Sequence, residues 1–239
     1  MKTHHSTSPK RGFTLVESVI ALGILVVLIT GFLAVFGPAA ETIRKTLSID
    51  EASRLQASLE YELTHLREGG EKQRYQDDPF RKALNWISLS HERDTTIIVY
   101  KYKAIPGEVR TDGSLEPAGP TPAVAGKDFI LQPMVRRIND RFLEADLEVA
   151  EGRVFFVKLR QLVFGGEGIR VSEEIGTIVD PHEPGENFAG KPEEYPEAVV
   201  AFEAEYYTLP TTSYNFLSNS FDPENYTRPI FSRNLSVRR

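Results

Sequence analysis

No cysteine occurs among the 239 residues, which excludes a disulfide framework and any thiolate metal site, and leaves redox chemistry silent about compartment. Catalytic signatures are missing as well. No H-E-x-x-H or G-x-S-x-G stretch is present, and His4, His5, His65, His91 and His182 are scattered without paired ligand spacing. Gly185, Gly190 and Lys191 match the spacing of a phosphate loop, but Pro192 stands where the magnesium-binding Ser or Thr belongs, and no strand-loop-helix pattern surrounds them. Basic residues are in deficit, 28 against 34 acidic. An acidic chain does not favour nucleic acid, which is bound through a basic surface. The basic pairs Arg136–Arg137 and Arg238–Arg239 read as solvated. These absences argue against an enzyme, a cofactor, a metal site or a nucleic-acid partner.

One stretch has no charge at all. From Ser18 to Ala40 no side chain carries a formal charge, and about 23 helical residues suffice to cross a hydrocarbon core of roughly 30 Å. Lys2, Lys10 and Arg11 precede the run and Glu41 follows it, so the basic excess predicts a cytoplasmic N-terminus and an extracytoplasmic remainder. Arg44 and Lys45 count against that orientation. Gly37, Ala39 and Ala40 would serve as the small residues of a secretory cleavage site, but the apolar run exceeds the usual length of roughly 7–15 residues. Glu17 has no place in such a signal. A carboxylate at the start of a membrane helix is costly and, when kept, usually has a partner; a plain helix-capping role at the membrane boundary is the alternative.

Gly12, Phe13, Thr14, Leu15, Val16 and Glu17 sit between the basic leader and the apolar run. This junction resembles the processing site of type IV pilin-like proteins, the family of type IV pilins and type II secretion pseudopilins. The resemblance implies cleavage by a prepilin peptidase between Gly12 and Phe13, N-methylation of Phe13, and assembly with other pilin-like subunits on an inner-membrane platform. It places the chain in the bacterial inner membrane as a single-pass protein, or in a periplasmic or surface filament. Cleavage would create an amine on Phe13 one helical turn from Glu17. In a filament, the amine of one subunit and the carboxylate of another would then neutralise each other. Loss of Lys2, Lys10 and Arg11 with the leader removes three cations and moves the net charge from −6 to about −9.

Some features depart from the family. Many minor pilins staple a C-terminal loop with a disulfide, and Pro38 comes later than the helix-breaking proline of many major pilins, where this chain has Ala34. Asp222, Glu224 and Asn225 offer oxygens like those of the calcium site of some major pseudopilins, with an incomplete ligand pattern. The organisation expected is a leader over 1–12, an assembly helix over 13–40, an amphipathic helix over 41–70 and a soluble α+β domain with variable loops over 71–239. The competing functional class is a single-pass anchor carrying an extracytoplasmic ligand-binding or enzymatic domain.

Beyond the membrane run, Gly37 and Pro38 are expected to interrupt and kink the helix. Ile43, Leu47, Leu55, Leu59, Leu63 and Leu66 then form an apolar stripe at helical period, ended by Gly69 and Gly70. The stripe predicts a helix packed on the chain's own sheet, with a coiled coil as the alternative. A short helix is expected between Asp78 and His91, with Trp86 as a core anchor. Thr95–Ile105, Phe129–Ile138, Phe142–Val149, Val154–Phe164, Ile169–Val179 and Val199–Leu209 read as strands. Turns are expected at Pro106–Gly107 and Asp112–Gly113, a loop over 115–126, and a hairpin at Glu151–Gly152. The stretches 180–196 and 211–239 read as loops. The fold class predicted is α+β, with an antiparallel sheet against a long N-terminal helix.

Overall fold

A computed structural model describes residues 14–119, 124–166, 168–182 and 194–239. The chain divides into two units, Met1–Thr46 and Leu47–Arg239. Helix α1 (Leu15–Thr64) runs through the boundary and supplies all the described structure of the first unit apart from Thr14. Pro38 lies inside α1 without ending it, against the expected interruption. Its missing N–H cannot bond the carbonyl four residues back, yet its own carbonyl accepts from the Thr42 hydroxyl at 2.9 Å, and the helical path continues.

In the second unit α1 buries Leu55, Leu59 and Leu63 of the predicted stripe, together with Ala52. Ile43 and Leu47 remain exposed. The helix stops at Thr64, short of Gly69 and Gly70, and side chains bond its last carbonyls. The Thr64 hydroxyl bonds the carbonyls of Glu60 and Tyr61, and the His65 ring bonds that of Tyr61 as well. The chain then turns into α2 (Glu71–Tyr75), which the sequence reading missed, and α3 (Pro79–Leu89). Asp78 caps α3 by accepting from the Phe80 N–H at 2.8 Å, with Pro79 in the first turn.

Seven strands follow: β1 (Ile97–Val109), β2 (Leu115–Pro117), β3 (Ile130–Arg137), β4 (Phe155–Gly165), β5 (Gly168–Val171), β6 (Val199–Thr208) and β7 (Phe231–Arg238). They form one antiparallel sheet in the order β2-β1-β4-β6-β7, with β3 also paired to β1 and β5 to β4. The fold is α+β, as the sequence predicts.

Both faces of the sheet are covered. Ile97, Val99, Phe155, Val157 and Phe202 face α1 and α3, in a core that includes Leu55, Leu59, Leu84 and Trp86. Their alternate neighbours Ile98, Tyr100, Tyr102 and Phe156 pack with Leu143, Leu147, Leu217 and Phe221. That second layer comes from α4 (Leu143–Glu148) and α5 (Tyr214–Asn219), with a 3-10 turn at Pro223–Asn225.

Residues 142–149 were expected as a strand from the alternation of acids and apolar residues, yet Leu143–Glu148 is helical. The buried set is Leu143, Asp146 and Leu147, spaced three and four apart, the period of a helix. The Glu151–Gly152 hairpin between two strands therefore does not exist. Pro106 and Gly107 lie within β1, where the pairing register to β2 shifts between Ala104 and Val109. A proline is tolerated at such an irregularity. The expected turn at Asp112–Gly113 does form, with the Gly113 N–H bonded to the Arg110 carbonyl at 3.0 Å. Within 115–126, expected as a loop, Leu115–Pro117 is a strand.

Strand β5 ends at Val171, short of the expected Val179, which the side chain of Gln161 on β4 holds instead. That side-chain amide bonds both the N–H and the carbonyl of Val179 at 2.8 Å. The stretch 211–239, expected as a loop, contains α5 and strand β7, which pairs with β6 from Tyr206↔Phe231 to Val199↔Arg238.

Candidate functional site

The exposed apolar helix is the feature that composition alone does not settle in water. From Leu15 to Phe36 the large apolar side chains are exposed: Leu15, Val16, Val19, Ile20, Leu22, and so on through Leu33, Val35 and Phe36. By length and composition α1 is able to cross a membrane, and none of its apolar window is buried within the chain. A continuous apolar surface of this kind requires lipid or other helices around it.

Its N-terminal end is built by Thr14. The Thr14 hydroxyl accepts from the Glu17 N–H at 3.3 Å, and the Thr14 carbonyl accepts from the Ser18 N–H at 3.1 Å and the Ser18 hydroxyl at 3.3 Å. Thr14 is therefore the helix cap, a role the sequence reading did not assign. The signal was available: Thr14-x-x-Glu17 before an apolar run is the spacing of a capping box. Glu17 lies in the first turn, where the helix dipole favours a negative charge. Among the described residues no cation pairs with it. Gly12 and Phe13, the expected cleavage and methylation positions, lie outside the described residues.

Residues 7–33 match a family model described as the prokaryotic N-terminal methylation motif. With the long apolar helix behind it, this motif fits a type IV pilin-like protein. No curated protein and no solved structure matches the chain. The motif implies processing by a prepilin peptidase and assembly with other pilin-like subunits, and the helix suggests membrane anchoring.

Elsewhere the singled-out residues that are described have structural tasks; His4 and His5 lie outside the described residues. Among the described residues no group of three or more His, Cys, Asp or Glu is arranged to hold a metal ion. Asp222 caps the 3-10 turn by accepting from the Glu224 N–H at 3.0 Å, and Asn225 bonds its other oxygen at 3.3 Å. His65 stacks on Tyr61, His91 bonds the Leu159 carbonyl at 3.0 Å, and His182 bonds Glu197 at 2.6 Å. The glycines and lysine of the partial phosphate loop lie outside the described residues. Trp86 is buried, as expected of a core anchor, and donates its ring N–H to the Tyr75 hydroxyl at 3.2 Å.

Arg136, expected as solvated, is wholly buried. It bonds Asp146 and Asp112 at 2.7 Å, Ser114 at 2.8 Å and Asp140 at 3.1 Å. Burial alone would lower its pKa, but the surrounding acids raise it above the ordinary arginine value. For Asp112 burial pushes upward, yet the Ser114 hydrogen bonds and Arg136 outweigh it and hold the carboxyl at about 2. This satisfied network reads as scaffold.

Proposed function

We propose that this protein is a structural subunit, a minor pilin or pseudopilin, of a type IV pilus or type II secretion-like filament. The observation that carries the reading is a carboxylate, Glu17, in the first turn of an exposed apolar helix that begins immediately after the Gly12–Phe13 junction. In this reading prepilin peptidase cuts after Gly12 and Phe13 is N-methylated. Methylation to a secondary amine keeps the positive charge. A carboxylate in the bilayer costs about 3 kcal/mol on insertion scales, and the amine of a neighbouring subunit offsets that cost on docking. Glu17 thus acts as the assembly register. The soluble unit projects from the bacterial inner membrane on its extracytoplasmic side, and an inner-membrane assembly platform extracts the helix into the filament.

The test is the mass of the mature protein from cells with and without a prepilin peptidase. A start at N-methylated Phe13 that requires the peptidase supports the reading. A start near Glu41 would assign a secretory signal, and retention of Met1 in competent cells an uncleaved anchor; either result overturns it.

A further inference from the structure

The second unit contains a charged cleft of about 360 Å³ between the loop after α1, α2, α3 and the turn that leads from β3 to α4. Arg74 and Tyr75 line it from α2, Trp86 from α3, Arg137 from the end of β3, and Arg141 and Phe142 from the turn. Part of its wall is bare backbone at Gly69, whose φ of +83° favours glycine and where a Cβ would come within 3.1 Å of the Thr111 carbonyl.

The acids around this cleft are already engaged. Glu71 bonds Lys82 at 2.7 Å and the Arg67 N–H at 2.8 Å, Asp112 and Asp140 bond Arg136, and Glu68 bonds Lys72 at 2.6 Å. Three of the guanidinium groups are not matched in this way. Arg137 is only 8% exposed. One terminal nitrogen donates to Asn85 at 2.9 Å, the group lies 4.8 Å over the Trp86 ring, and its buried Nε has no hydrogen-bond partner. Among the described residues no carboxylate forms an ion pair with Arg137, Arg74 or Arg141. Arg141 is held by the Thr111 hydroxyl at 2.8 Å and the Phe142 ring at 4.5 Å. Burial lowers the Arg137 pKa from the ordinary arginine value; Tyr75 and the more distant carboxylates of Glu71 and Glu92 oppose the shift, and Arg74 adds to it. A buried cation without a counter-ion is an expensive thing to keep.

We propose that this cleft binds a carboxylate, presented either by an acidic side chain of another protein or by a small free carboxylic acid. Arginine forks suit the planar oxygens of a carboxylate, and a bound carboxylate would give Arg137 the direct ion pair that it lacks among the described residues and a partner for its Nε. The size lies at the low end of ligand sites, enough for one side chain or a small acid. Phe142, which is partly exposed, offers an apolar surface to the stem that carries the carboxylate, beside the nearly buried Tyr75 and Trp86. This site goes beyond the filament reading and does not use Glu17.

Trp86 is the only tryptophan of the chain and lines the cleft, so its fluorescence reports binding directly. The full-length protein in detergent would be titrated with a tryptophan-free peptide of alternating Asp and Glu, its Asn and Gln counterpart, glutarate and inorganic phosphate. A saturable change is expected with the acidic peptide, glutarate or both, none with the amide peptide, and at least a tenfold weaker response to phosphate. Response to the peptide alone assigns a protein source, and response to glutarate alone a free acid. The exposed rim double variant Arg74→Ala/Arg141→Ala, with folding checked by circular dichroism, should weaken binding at least about tenfold, and Arg137→Lys should weaken it with the fold retained. The proposal is overturned if neither carboxylate saturates below about 10 mM, a range that covers weak single-site binding. It is equally overturned if phosphate binds as tightly, or if the rim variant binds within twofold of the parent.

Discussion

The Nε of Arg136 on β3 donates to Asp146 on α4 at 2.7 Å, and neither side chain has any exposed surface. The same carboxylate accepts from Arg110 at 2.6 Å and from the Tyr100 hydroxyl at 2.6 Å. A short helix is thereby fastened to β3 by charge, to β1 by the Tyr100 hydroxyl and to the segment after β1 by Arg110, as well as by Leu143 and Leu147. Removing one partner of a buried pair leaves the other charge without compensation. Asp146→Ala should therefore cost about 3–5 kcal/mol, read as a lowered denaturant midpoint of the full chain in detergent by Trp86 fluorescence. Because the network is buried, added salt should change the difference little.

Acid should loosen the same network. The Asp112 carboxyl is held at about 2, below its ordinary value of 3.8, so the folded state binds its proton less readily than the unfolded chain. Its contribution is complete above about pH 4 and disappears as pH falls through about 2, a loss on the order of 2 kcal/mol. Asp112→Asn should flatten stability across that interval, measured as unfolding midpoint against pH.

Tyr102 behaves in the opposite sense. Burial raises its hydroxyl to about 12, with Asp146 adding to the effect, so the folded state keeps a proton that the unfolded chain gives up near pH 10. Its contribution is present below pH 10 and is lost as pH rises through about 12. Tyr195 is raised to about 12, mainly by burial, and shares this window. Tyr102→Phe should lose about 1 kcal/mol at neutral pH with its bond to the Leu115 carbonyl, and should unfold less steeply between pH 10 and 12 than the parent.

Apolar runs made much of this fold legible. The membrane stretch, the stripe of Leu55, Leu59 and Leu63, and strands β3, β4 and β6 are dense in apolar residues of the right period. The failures share a cause. Helix α4 buries an aspartate, which a reading based on hydrophobicity must count as wet, and the acids of Glu144, Asp146 and Glu148 then imitate alternation. Strand β7 is a sheet edge that buries only Leu235 and Val237, too few for a pattern. The junction at Gly12–Glu17 was legible because its chemistry is local to six residues. The cleft of Arg74, Arg137 and Arg141 was not, since its residues meet only after folding.

Gly152 offers a backbone test. It has a φ of +83°, and a Cβ there would collide with the Glu51 carboxylate of α1, which is itself held by Lys101 at 2.8 Å. Gly152→Ala strains the left-handed conformation and must also displace the Glu51 carboxylate. A cost of about 1–2 kcal/mol is expected, measured by the denaturant midpoint. Glu51→Ala in the same chain should recover the part due to collision and leave the part due to backbone strain.

Thr14 and Glu17 can be separated because their roles use different atoms. The cap is made by the Thr14 hydroxyl and the Glu17 backbone N–H at 3.3 Å, so Glu17→Ala leaves it in place and removes only the charge. Thr14→Ala removes the cap, worth about 1 kcal/mol of helix stability, and leaves the charge. If the carboxylate sets the assembly register, Glu17→Ala should be trimmed by prepilin peptidase like the parent and yet fail to enter filaments. Thr14→Ala should be trimmed and should assemble with a modest deficit. The measurement is the ratio of processed protein in membranes to that in sheared filaments. Equal deficits for the two variants would mean that Glu17 acts through the helix end rather than through its charge, and full assembly of Glu17→Ala would remove the counter-ion argument altogether.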